Sequence, residues 1–119
     1  MGEYPLRERT KKLALRITKL VEALPWSETG RVIGRQLLRS GTSVGANYRA
    51  SLRAKSKADM LNKWEIVEEE TDETLYRLEL LIEADLMPES KLRPLMNEVE
   101  EILSMLVASI RTLRESDRS

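Results

Sequence analysis

Residues 39–57 read RSGTSVGANYRASLRAKSK, with four small residues in the five from Ser40 and then a basic residue at every second to fourth position. Such a run can be a phosphate-cradling loop, a linker or a helix built for close contact. Placing residues at about 100° each on a helical wheel decides among them. Ile33, Leu37, Val44 and Tyr48 fall within an arc of about 60°, with Leu52 beside it, which is one buried stripe. Gly34, Gly41 and Gly45 lie within about 40° of one another at the edge of that stripe. Glycine inside a helix costs about 1 kcal/mol against alanine, so three on one edge predict that another backbone approaches there. No strand precedes the run and the G-x-x-x-x-G-K-[ST] pattern is missing, so the phosphate loop is the weaker reading. The segment reads as helix over about 28–54.

On the N-terminal side, Leu13, Ile17, Leu20, Val21 and Leu24 recur at steps of three and four and predict a first helix over 6–24, closed by Pro25. Ser27 or Thr29 can cap the second helix. Ser56 can cap a third over 57–86, with Asp59 at its positive end. Met60, Trp64, Val67, Thr71, Leu75, Leu78 and Ile82 form that helix's apolar face. A last helix over 89–115 starts at Pro88. It carries Leu92, Leu95, Met96, Val99, Ile102, Leu103, Leu106, Val107, Ile110 and Leu113, a face wide enough to suggest a second packing partner. The end, RESDRS, is expected to fray. Four helices with short links and no competing strand signal predict an all-α, antiparallel up-down four-helix bundle in one domain spanning 1–119.

Composition narrows the chemistry. The 119 residues, 41% hydrophobic, suffice for one modest core. There is no cysteine and no histidine, which removes disulfides, zinc–thiolate sites, thiol nucleophiles, the usual general base and the Glu-x-x-His ligands of di-iron bundles. No metal or cofactor is expected. No run approaches the length of a membrane span and the start MGEYPLRERTKK lacks an apolar leader, so a soluble, cytoplasmic chain without a membrane partner is expected.

Net charge is zero, but the charges are segregated. From Arg31 to Lys63 only Asp59 opposes the bases, whereas from Trp64 to Ser104 the acids face only Arg77, Lys91 and Arg93. Arg31, Arg35, Arg39, Arg49, Arg53 and Lys57 share an arc of about 80° opposite the buried stripe. Such a stripe fits a surface that tracks nucleic-acid phosphates. Its plainer reading is a solvated face, or one pairing with acids of the third helix or of a neighbouring subunit. Few aromatics accompany it, so recognition of backbone or shape is expected. Glu69, Glu70 and Glu73, with Glu98 and Glu101, could hold magnesium as in helical nucleotide pyrophosphohydrolases, a pattern that any acidic helix offers by chance. Trp26 is expected to plug the bundle end and Trp64 to join the core. Asn47, at the edge of the stripe, is expected to bridge helices or hold a backbone carbonyl, and Glu68 to pair with a buried arginine.

Ser43-Val44-Gly45-Ala46-Asn47-Tyr48, the Ser56 start, Glu73-Thr74-Leu75-Tyr76, Leu78-Glu79-Leu80-Leu81 and Ser109-Ile110-Arg111 together resemble the four-helix bundle family, also called the 23S ribosomal RNA intervening-sequence protein family. The similarity runs from about Leu13 to Leu113. This family looks related to the accessory variability determinant of diversity-generating retroelements. That resemblance implies a homopentamer with a basic surface, a nucleic-acid partner (RNA or DNA) and a reverse transcriptase as a further partner. Two positions depart from the family pattern: Gly45 stands where many members carry proline, which favours an unbroken helix, and Arg77 where relatives often carry an aromatic residue. The expectation is a non-enzymatic oligomer offering its basic stripe to nucleic acid. The alternatives are a protein-only assembly module and, more remotely, the magnesium-dependent hydrolase.

Overall fold

The computed structural model describes residues 3–116, with side chains from Leu6 onward. It is all-α: α1 (Glu3–Glu22), α2 (Glu28–Ser51), α3 (Lys57–Glu83) and α4 (Glu89–Glu115), with no strand among the described residues. The bundle is elongated, 52 × 23 × 20 Å, and each helix packs on the next, while α4 meets α1 more sparsely. Of the fraying expected at the end, Arg114 and Glu115 are still helical, and residues 117–119 lie outside the described part.

The core brings the predicted apolar stripes together, except that on α3 Leu81, outside the predicted face, is buried while Met60, Leu75 and Ile82 are half-buried. Leu13 and Ile17 of α1, Leu37, Val44 and Tyr48 of α2, Val67, Leu78 and Leu81 of α3, and Val99, Ile102 and Leu106 of α4 are all essentially inaccessible. The quoted run is unbroken helix from Arg39 to Ser51, so the glycine-rich segment is neither loop nor linker. Between α2 and α3 the contact also contains polar groups. The fully buried hydroxyls of Ser40 and Thr74 bond each other at 3.1 Å. Nearer the turn, the Trp64 indole donates to Ser51 Oγ at 3.0 Å. These four side chains thereby find partners across the α2–α3 contact, which avoids the desolvation cost of an orphan.

Several helix ends fall short of expectation, each for a local reason. α1 stops at Glu22, not Leu24, because Ala23 and Leu24 tighten to i−3 bonds ahead of Pro25. α2 stops at Ser51, not Ala54. Leu52, Arg53 and Ala54 each bond three residues back as the chain turns toward Ser56, which caps α3 by accepting from the Asp59 amide at 3.0 Å. α3 stops at Glu83, not Leu86, in a Schellman turn where Leu86 N–H reaches Leu81 O at 2.9 Å and Asp85 N–H reaches Ile82 O at 3.0 Å. Asp85 takes the left-handed conformation (φ 60°) that this turn requires and that glycine usually fills. Ser27 is the cap of α2, accepting from Gly30 N at 2.9 Å. Pro88 precedes α4 as its N-cap residue. Pro94 sits in the second turn of α4, where Ser90, whose carbonyl loses its usual donor, is exposed to water.

Much of the wide apolar face of α4 is taken up by this chain's own helices. Leu92, Leu95, Met96, Val99, Ile102, Leu106 and Ile110 are buried within this chain, and Leu103, Met105, Val107 and Leu113 are half-buried. The large apolar side chains left exposed lie elsewhere, at Leu15, Trp26, Val32, Leu52 and Tyr76.

Candidate functional site

Gly34, Gly41 and Gly45 share an edge that faces α1, but of the three only Gly45 meets the backbone approach expected along it. A Cβ on Gly45 would stand 3.2 Å from the Thr10 carbonyl oxygen and 3.3 Å from its carbon, so here the α1 backbone itself makes the approach. A Cβ on Gly41 would run into the Ile17 side chain, and one on Gly34 would lie 3.1 Å from Leu24 Cδ1. Asn47 turns inward on its own helix, where its Nδ2 donates to Ser43 O at 2.9 Å. It holds a backbone carbonyl and is half-buried.

The close α1–α2 contact leaves a shallow seam on the outside, and the basic residues divide around it. At one end Arg31 and Arg35 border a groove of about 370 Å³. At the other, Arg49 borders a second groove, of about 380 Å³, together with Arg7 and Lys11 of α1. Arg35 and Arg49 are 14 residues apart, about 21 Å along α2, with the uncharged Thr42 and Ala46 on the same arc between them. The side chains of Arg7, Lys11, Arg35 and Arg49 have no ion-pair or hydrogen-bond partner among the described residues, and all four residues are exposed. Arg7 and Lys11 were missing from the predicted stripe. Their four-residue spacing on α1 is visible in the sequence, but only the packing puts them opposite Arg49.

The remaining members of the stripe go elsewhere. Arg39 turns toward α3 and donates to Glu73 Oε1 at 2.7 Å and Glu70 Oε2 at 3.4 Å; hydrogen bonding to Glu70 is the main cause of its raised pKa. Arg31 makes an exposed pair with Glu28 at 3.4 Å. Arg53 falls in the turn after α2, and Lys57 opens α3, so neither continues the α2 surface. The single six-residue stripe is thus replaced by two basic clusters on the α1–α2 face. The cause is the early end of α2 and the capture of Arg39 by α3.

Trp26, expected as a plug, is 85% exposed. It stands in the turn between α1 and α2, beside Arg31 and Arg35. Trp64 is in the core as expected.

Of the carboxylates considered as magnesium ligands, Glu70, Glu73, Glu98 and Glu101 are drawn to arginines on different seams, and Glu69 is exposed. Arg9 of α1 binds Glu98 through both carboxylate oxygens at 2.7 and 2.8 Å and Glu101 at 2.7 Å, with Met105 Sδ 3.2 Å from its other nitrogen. The Arg9 hydrogen bonds hold the Glu98 carboxyl below its ordinary value. Glu70 and Glu73 go to Arg39. No group of three or more acidic side chains able to hold a metal ion occurs among the described residues. Glu68 is half-buried beside Arg111 and Arg114, but Arg114 pairs with Glu65. Arg77 lies half-buried with its guanidinium 5.3 Å from the Tyr76 ring centre.

Charge is split between the two halves of the chain. Residues 3–56, carrying α1 and α2, hold twelve Lys and Arg against four Asp and Glu; residues 57–116, carrying α3 and α4, hold seven against fifteen. The net charges are therefore +8 and −8. No helix is long and apolar enough to cross a membrane among the described residues.

Residues 3–108 match the family described as 23S rRNA-intervening sequence protein. The fold is similar to the crystal structure of a protein of unknown function from the S23 ribosomal protein family of Bacteroides thetaiotaomicron, with TM-score 0.88 and 35% identity. That similarity covers 93% of this chain and 99% of the other. Comparison with curated proteins gives no match.

Proposed function

The chain belongs to the 23S rRNA-intervening sequence protein family, and from this we propose that it is a cytoplasmic, non-enzymatic bundle whose α1–α2 face binds the phosphate backbone of structured RNA or DNA. One observation carries the reading: Arg7, Lys11, Arg35 and Arg49 project unpaired from a single face of a molecule whose acids are concentrated in the other half. Structural ion pairs would have consumed these cations, as α3 consumes Arg39. Unpaired cations about 21 Å apart suit phosphates, which release counterions when neutralised, and they position a nucleic acid without reading its sequence.

The proposal includes an antiparallel up-down arrangement, supported by the pairing of Ser51 with Trp64 and of Ser40 with Thr74 on either side of one turn. It also includes self-association, as the homopentamer that the resemblance to the accessory variability determinant implies, with a reverse-transcriptase ribonucleoprotein as the wider partner. The test is the double variant Arg35→Glu, Arg49→Glu, titrated with structured RNA at several salt concentrations. Affinity is expected to fall and the salt slope to become shallower by about two. Unchanged affinity and slope would make these arginines solvated surface only.

A second reading, a protein-only assembly module, is favoured by the +8/−8 division itself, since the basic half of one copy complements the acidic half of the next. It predicts a multimer that ignores RNA.

A further inference from the structure

We propose that Trp26 is a stacking platform for one unpaired base, so that the α1–α2 face prefers an RNA duplex interrupted by an unpaired nucleotide to a fully paired one. The inference rests on the nucleic-acid reading above and adds a ligand feature to it.

Trp26 is the most exposed large hydrophobic side chain among the described residues. A tryptophan offers the largest apolar area of any side chain, and burying it would stabilise the bundle, so folding does not account for an indole left in water. The turn that carries it is anchored on both sides. α1 has tightened to its end before Pro25, and Ser27 is fixed as the cap of α2. The ring therefore projects from a short, held segment and loses less freedom on binding than one on a long loop.

The surroundings select the ligand. Leu24 and Leu38 line the groove beside the indole, Gly34 leaves it without a side chain at that point, and Arg31 and Arg35 stand at its border. An aromatic face next to guanidinium groups matches a base joined to its phosphate, through stacking and a charge-assisted hydrogen bond. The same seam continues to Arg49, Arg7 and Lys11, which a longer backbone can reach and a single nucleotide cannot. In an intact duplex the base faces are hidden by their neighbours; an unpaired nucleotide can expose one. A lone indole can then read the interruption while the two basic clusters hold the flanking backbone.

The experiment titrates the full chain into two labelled RNA duplexes of equal length, one fully paired and one with a central single-nucleotide bulge carrying 2-aminopurine. Stacking on an aromatic side chain is expected to favour the bulged duplex about 5- to 150-fold, with quenching of the 2-aminopurine fluorescence. Trp26→Ala, at an exposed position, is expected to abolish both the preference and the quenching while leaving affinity for the paired duplex unchanged; Trp26→Phe should keep part of each. Equal, salt-dependent binding of both duplexes by the unmodified protein would overturn the stacking inference and leave the backbone reading standing. No binding of either duplex would overturn both. If Trp26→Ala lowered the multimer mass and left RNA selectivity intact, Trp26 would belong to a contact between copies and the inference would fail.

Discussion

Gly45 and Gly34 occupy the same edge of α2 and look equivalent in the sequence, yet they face different obstacles. A methyl group on Gly45 meets the main chain of Thr10, which cannot move without shifting α1, whereas one on Gly34 meets the end of the Leu24 side chain, which can rotate. Alanine improves helix propensity by about 1 kcal/mol at either site. At Gly45 the overpacking, typically about 1–3 kcal/mol, should outweigh that gain. Urea unfolding is therefore expected to show Gly45→Ala destabilised by about 1 kcal/mol and Gly34→Ala neutral or slightly stabilised; equal effects would mean that α1 yields as easily as a side chain. Helical period made the buried stripe and the glycine edge legible because both belong to one continuous helix. Trp26 was not legible, since a turn residue has no period to assign it a side. Nor was Arg39: it lies about 40° from Arg35 on the wheel, and only the position of α3 decides that one is paired and the other free.

The four helices and their order could be read from apolar spacing, caps and prolines. Their last turns could not, because these depend on where the next helix must begin: Ser56 draws the chain away after Ser51, and the left-handed Asp85 ends α3 without the glycine that would have marked it. The α1–α4 seam was also hidden. It joins the two helices farthest apart in sequence, and its central residue, Arg9, looks like any other base on α1. Because Arg9 bonds Glu98 and lowers that carboxyl's pKa from its ordinary 4.5, folding is favoured while Glu98 is ionised. The sign follows from linkage: the contribution is complete above about pH 4.5 and is lost as the pH falls through the lower, folded-state value. Thermal unfolding of Arg9→Gln is expected to show a lower midpoint at pH 7 and a smaller further loss between pH 5 and pH 3 than the unmodified chain. Parallel acid curves for the two proteins would count against the clamp.

On the scale of the whole molecule, the sequence disclosed the segregation of charge but not its use. Basic and acidic runs were evident; that α1 contributes Arg7 and Lys11 to the same face as Arg49 required the fold. Within one copy α4 buries most of its wide apolar face and leaves Leu103, Val107 and Leu113 half-buried. Contacts between copies made through the +8 and −8 halves are screened by salt, so light scattering is expected to record a multimer at about 0.1 M salt and a smaller mass at about 0.5 M. A mass that stays constant would point to an apolar interface, for which Leu15, Val32 and Tyr76 are the exposed residues available.

The same division has a geometric consequence. A two-fold pairing that sets both flanks of each copy against the other closes at two copies, whereas head-to-tail docking of a basic flank on an acidic one leaves one unused flank of each sign and attracts a third copy as strongly as the second. Growth of that kind stops only if the turn from one copy to the next brings the last flank round to the first; otherwise it continues as a filament. For a neutral chain built this way, the angle between neighbours, and not the strength of their attraction, sets the size of the assembly.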